Sequence, residues 1–577
     1  MPLRRVRNRV NQVQNMFRQG TSPCRSDRVY NAASVFNPQP AIRTPQSTMA
    51  DEHSTSDSPV KHSTGEIAQA PGSTMIPPWR VAELPEAPRF SWKNWIGMIG
   101  PGFYMGAMAL GGGEWLMGPL ITAKYGGGLL WLALFSILGQ LIYNIEVSRY
   151  TLYTGEPIFT GKFRTLPGPI FWIWIYLALD MGMFFPYLAS SAAMPLLALI
   201  NGELPDPVKD EQLLRWTAIG IFSMAFVPLF VGGKIYNALK AIMAVKIIVV
   251  IGFLLFIAVF YSSIGTWVEI FSGMFKVGNY PTPDGTLDNF FVALWEGRVP
   301  VLELAILPKL CALVAIAGGG GLGQTAVSNY TREQGWGMGA HIGSIPSIIG
   351  GRNIELSHEG AVFKVTDDVL PRWRRWYNHV RREQIFMWFP ACIFGLALPS
   401  MLSVQFLPRG YEVENQWMTS VMTANALEGH VGGDVGKFYW YMTMLCGFLV
   451  LGMATPGVAD MCVRRWADVL WSSNLFKNLD PKNIRYFYFG MLCIYMLFGM
   501  TMLSVGKPTT LLVVASLLFN FGLGFSCWHS LAVNLIMLPR ELRPNWFVRC
   551  AMFLAGLFFL TVGAIATWTT LLQQGWI

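Results

Sequence analysis

The sequence predicts an all-α polytopic membrane protein with eleven transmembrane helices. Three observations predict it. The chain of 577 residues is 53% hydrophobic and 13% charged, whereas soluble domains carry about 25% charge. Its apolar residues fall in blocks of about 20 or more, long enough to cross a bilayer as helix. Short charged loops separate the blocks, and their Lys and Arg content alternates between high and low.

Residues 1–92 precede the first block. They are polar and rich in Ser, Thr and Pro, and are predicted to be a disordered cytoplasmic tail. Residues 1–48 hold eight Arg and one acid, Asp27, so +7 of the net charge of +9 lies here. The basic balance is therefore no sign of a nucleic-acid partner. The first 26 residues have several Arg and no acid, as organelle transit peptides do. A start of translation at Met49 is the alternative and the one we expect.

The remainder, residues 93–577, divides into segments one (95–123), two (128–150), three (168–199), four (214–232), five (236–262), six (302–331), seven (384–406), eight (437–463), nine (485–506), ten (508–537) and eleven (547–571). Placing the N-terminus in the cytoplasm puts 21 Lys and Arg in inner loops and 8 in outer ones. The positive-inside rule then predicts a cell-membrane protein with its N-terminus inside and its C-terminus outside. Residues 332–383 form the largest inner insertion. The eight Cys show no CxxC and no Cys/His cluster, so neither disulfides nor structural zinc is expected.

Two segments carry glycine runs. Segment one contains Gly111, Gly112 and Gly113 followed by Glu114, and segment six contains Gly318, Gly319, Gly320 and Gly321, then Gln324. Each Gly costs about 1 kcal/mol against Ala inside a helix, so such runs should unwind. Unwound backbone at membrane depth is tolerated only where protein buries it or a cavity needs it. Interrupted helices at matching places in two antiparallel halves point to an inverted-repeat secondary transporter with its substrate site at the breaks. Small-residue packing faces are the bland alternative. The second run also matches GxGxxG, but a dinucleotide fold needs a preceding strand, which a span excludes. No nucleophile–base pair or His/carboxylate motif suggests an enzyme, and no cofactor is expected.

The stretches GPGFYMGAMALGGGEW (100–115), KYGGGLLWLALFS (124–136) and SRYTLYTGE (148–156) resemble the Nramp divalent-metal transporters. The resemblance implies a fold of leucine-transporter type: inverted five-helix repeats with helices one and six broken. It also implies a divalent cation as substrate, with proton coupling. Aligned on Trp115, the family's Asp-Pro-Gly-Asn falls on Gly111, Gly112, Gly113 and Glu114, so its metal-binding Asp is missing. The family's Met and His fall within Gly318–Gly323 and are missing too. One carboxylate, freed carbonyls and the Gln324 side chain then remain, an all-oxygen set suited to a hard cation such as magnesium. It suits an organic ammonium group equally well, and a small organic solute is the alternative substrate.

Glu114 is the candidate metal ligand, because an intramembrane carboxylate is costly and functional by default. A structural role, capping the second half-helix, competes with this. Asp180 and His529 are the proton-coupling candidates. Lys246 is expected to snorkel to the inner surface. Glu146 with Arg149, and Asp460 with Arg464, are read as structural ion pairs.

Overall fold

The computed structural model describes residues 66–573, apart from 90, 92–98, 231–233, 348–354, 475 and 477, and also describes residue 575. Among these, ten helices are long and apolar enough to cross a membrane. They match segments two to eleven. Segment one lies in shorter pieces: a helix Pro101–Ala109, a π turn Gly113–Met117 and a helix Gly118–Tyr125. Leu110 ends the first piece at φ −61° and ψ 81°.

Segment six also divides, into Leu307–Ile316, a 3-10 turn Gly321–Thr325 and Ala326–Glu333. Gly318 to Gly321 all have positive φ, which only glycine adopts without strain. At Gly320 (φ +65°) a Cβ would also stand 1.7 Å from the Ala315 carbonyl oxygen.

Two further interruptions escaped the sequence reading. Segment three is not one long helix. Pro169–Asp180 gives way to a 3-10 turn at Met181–Phe184, and Tyr187–Asn201 follows Pro186. Segment eight divides into Gly433–Gly452 and Thr455–Trp471, with Pro456 in the first turn of the second piece. Proline supplies no N–H and clashes with the preceding turn, so each helix restarts around it.

The loops sort into two sets by their contacts. Lys124, at the end of segment one, pairs with Glu303 and Glu412, and Arg409 pairs with Glu269. Glu303 opens segment six at its outer end, and the others come from the loops predicted to face outward. On the other face, residues 66–89 touch three loops predicted to face inward. Strand β2 (Trp79–Val81) lies between β1 (Ile67–Ala68), antiparallel to it, and β5 (Ala361–Val362), parallel to it. The Ser73 amide donates to the Arg164 carbonyl (2.7 Å), Arg164 donates to the Pro77 carbonyl (2.8 Å), and the Asn474 amide donates to the Met75 carbonyl (3.1 Å). Trp79 and Leu84 are buried. A hairpin of β3 (Asn279–Pro281) and β4 (Leu287–Asn289) stands in the loop between segments five and six.

The predicted disorder of residues 1–92 is thus not met over 66–89, because apolar anchors such as Trp79 are spaced among the polar residues. Residues 1–65 lie outside the described residues. The insertion 332–383 contains β5 and an amphipathic helix, Leu370–Glu383, that buries Trp373 and Trp376. From its end, the Glu383 carboxylate accepts the amides of Gly100 (3.0 Å), Gly102 (2.8 Å) and Phe103 (3.1 Å). These are orphan donors of the first helical piece, so the insertion caps segment one.

Candidate functional site

Breaking a helix frees backbone N–H and C=O groups, and each must find a partner in a dry interior. The partners found here define the site. The Glu114 carboxylate bridges the two breaks. Its Oε1 accepts the Gly318 amide at 2.8 Å, and its Oε2 accepts the Gly111 amide at 3.3 Å. Glycine at 113 lets the backbones meet, since a Cβ there would lie 2.7 Å from the Ile316 carbonyl carbon and oxygen. Glu114 is wholly buried.

On the other side of the first break, the Lys246 ammonium donates to the Leu110 carbonyl. Lys246 has no exposed surface. It therefore does not snorkel to the inner surface as expected; it ends at the break, across the Leu110–Gly111 peptide group from Glu114. The reason is geometric. The carbonyl at the end of Pro101–Ala109 carries the negative end of a helix dipole and has no helical partner.

At the second break two side-chain amides join Glu114. The Gln140 Nε2 donates to the Ala317 carbonyl at 2.6 Å, and its Oε1 accepts the Gly320 amide (3.1 Å) and Gln324 Nε2 (2.7 Å). Gln324 Nε2 also donates to the Gly318 carbonyl. Ser136 donates to the Val314 carbonyl at 2.6 Å. The Gln324 Oε1 is buried without a partner. Gln140 and Ser136 escaped the sequence reading. An amide in segment two was the signal, but nothing local tied it to segment six.

A cavity of about 30 Å³ lies between the breaks. That is room for water-scale contents. Gly111, Gly112, Gly319 and Gln324 line it, as do Met105, Met108 and Met461. Beside the expected oxygen groups, methionines thus stand in the lining from segments one and eight, although segment six supplies none. No group of three or more His, Cys, Asp or Glu suited to a metal occurs among the described residues.

Asp180 reaches the second break only through a neighbour. Arg465 Nη2 donates to both its oxygens (2.6 and 2.7 Å), and Trp466 Nε1 donates to Oδ2 (2.7 Å). Arg465 Nη1 donates to the Leu322 carbonyl at 2.7 Å. His529 lies in another cluster, between Thr165 Oγ1 (2.8 Å) and the Tyr176 hydroxyl (2.8 Å). Nearby, Lys162 is buried against Tyr143 and Ser526, and burial pushes its ammonium well below its ordinary range. The expected ion pairs form, Arg149 with Glu146 at 2.8 Å and Arg464 with Asp460 at 2.9 Å. Arg464 also joins Glu333 at 2.6 Å, and Arg332 joins Asp468 at 2.8 Å. Several of the arginines counted as loop charge are thus buried among carboxylates.

No protein-family model and no curated protein sequence matches the chain. Among solved structures it is similar to a histidine-to-alanine variant of the Eremococcus coleocola manganese transporter, at 11% identity over 83% of this chain and 88% of that one, with a TM-score of 0.54. A glutamate-to-glutamine variant of the same transporter gives 12%, 84%, 88% and 0.52. Mhp1, a nucleobase-cation-symport-1 family transporter, gives 12%, 82%, 92% and 0.46. The chain is a multi-pass membrane protein, mostly helical. Its fold is that of the manganese transporter, a likeness that at this identity concerns fold alone.

Proposed function

We propose that the protein is a secondary-active transporter that works by alternating access and is not an enzyme. Its spans number eleven, with Pro101–Tyr125 as a broken first, and form two inverted five-helix repeats in the cell membrane, N-terminus inside. Interruptions in segments one and six, five spans apart, support this; so do those in three and eight.

The substrate site is Glu114 with Gly111–Gly113, Gly318–Gly321 and Gln324, and the substrate is a cation, a divalent metal first. One observation carries the reading: a buried carboxylate spans two facing unwound segments. The fold shared with a manganese transporter supports it. The thioethers in the cavity wall keep borderline metals such as manganese among the candidates beside magnesium. Proton coupling is part of the proposal, with Asp180 and His529 as its candidates.

A second reading, transport of a small organic solute, is favoured by the Lys246 ammonium beside Glu114. A site with one positive and one negative group suits a solute without net charge. The test is uptake of magnesium, manganese and calcium into proteoliposomes holding a pH dye. Flux that vanishes in Glu114→Gln, with an accompanying pH change, supports a proton-coupled cation site. A folded preparation that moves no metal refutes the cation reading and leaves organic solutes.

A further inference from the structure

The two breaks are not satisfied alike. At the second, the freed carbonyls of Val314, Ala317 and Gly318 take neutral donors, from Ser136, Gln140 and Gln324, and the guanidinium that reaches the Leu322 carbonyl, from Arg465, is paired with Asp180. At the first, the freed carbonyl of Leu110 takes a full positive charge, the Lys246 ammonium. The donor comes from the middle of the unbroken helix Ile235–Tyr261 and is wholly buried. Among the described residues no carboxylate accepts a hydrogen bond from it; Glu114, which accepts the N–H of the same Leu110–Gly111 peptide group, spends its oxygens on Gly111 and Gly318. A charged lysine in a membrane interior is costly. Here it stands at a helix-dipole end, across one peptide group from the Glu114 carboxylate.

We propose that the Lys246 ammonium is the resident cation of the site. It occupies the seat at the Leu110 carbonyl and balances Glu114, so an incoming cation must displace it. Lys246 is then a specificity-determining residue that lowers the affinity of the site for free cations. This rests on the proposal that Glu114 and the breaks form the substrate site, and it adds what keeps that site neutral when empty. An alkyl chain tethers the ammonium, so it competes at any bulk concentration. Its displacement separates two opposite charges in a low-dielectric interior.

The test measures cation binding apart from transport. Purified full-length wild type, Lys246→Met and Lys246→Arg are melted in detergent across concentrations of sodium, magnesium and manganese chloride, with choline chloride as the ionic-strength control. Methionine keeps the chain length and removes the charge. The expected result is saturable thermal stabilisation of Lys246→Met by at least one cation. Its midpoint should lie at least tenfold below that of wild type, a response lost in Lys246→Met/Glu114→Gln. Lys246→Arg, which keeps the charge, should behave as wild type.

Equal midpoints in wild type and a folded Lys246→Met overturn the proposal, as does tighter binding by wild type. If Lys246→Met does not fold, Lys246→Gln takes its place in the same titration. Saturable stabilisation of wild type at micromolar cation would overturn the proposal without any variant. Liposome flux separates this from the transport reading. Absence of wild-type flux with gained binding in Lys246→Met upholds the resident cation and sinks the cation-transport reading. Wild-type flux whose concentration dependence is unchanged in Lys246→Met does the reverse.

Discussion

Removing the charge of Asp180 while keeping its shape should strand a guanidinium inside the protein. In Asp180→Asn, the Arg465 group that now donates to both carboxylate oxygens would face an amide. Both side chains have no exposed surface. Breaking such a pair from one side costs about 3–5 kcal/mol, because the remaining charge is buried without compensation. Trp466 keeps an acceptor in the amide oxygen, so its hydrogen bond adds little. Removing both charges, in Asp180→Asn/Arg465→Met, should cost less than the sum of the single changes. What remains is the Leu322 carbonyl, which loses the donor now 2.7 Å away at about 1–3 kcal/mol. The coupling energy from the double-mutant cycle should thus exceed about 2 kcal/mol. Unfolding by denaturant titration in mixed micelles measures each variant. Additive costs, or an Asp180→Asn protein as stable as wild type, would refute the reasoning. Asp180 would then not be held as the partner of Arg465.

Four other outcomes are expected. Gly320→Ala should abolish folded protein in size-exclusion profiles, because its Cβ would collide with the Ala315 carbonyl oxygen. Gly220→Ala, in an open place on the helix Glu211–Met224, should be tolerated and gain up to about 1 kcal/mol. Trp79→Ala should make residues 66–89 cleavable in limited proteolysis while the spans stay folded, since Trp79 is buried against Tyr153 and beneath the Arg164 guanidinium. The Asp288 carboxyl, in the hairpin loop, is held down at about 2, chiefly by its hydrogen bond from Arg298. A depressed carboxyl stabilises above its unfolded value of about 3.9, and the effect is lost as pH falls through the folded value. Hydrogen exchange at Asn279–Asn289, corrected for intrinsic rates, should therefore accelerate between pH 4 and pH 2; an unchanged rate would contradict this.

Most of the fold was legible from hydropathy, because a span must be apolar along its whole length and glycine unwinds wherever it clusters. Both are local properties, and they located segments two to eleven, the two glycine runs and Glu114. The interruptions in segments three and eight were less legible, since one proline in an apolar run, such as Pro186 or Pro456, reads equally well as a kink. The first break ends in a carbonyl whose partner, Lys246, lies 136 residues along the chain; Glu114 meets Gly318 across 204. Periodicity and composition carry no information over such separations. Lys246 looked like a snorkelling side chain because its helix alone offers it no acceptor. Likewise, Arg465 looked like a loop charge because its carboxylate, Asp180, comes from another segment. By itself the sequence determined where the apolar spans lie and where glycine opens two of them. Only the tertiary structure decided which groups close the openings, because a freed backbone group is satisfied by whatever packing brings within hydrogen-bond distance.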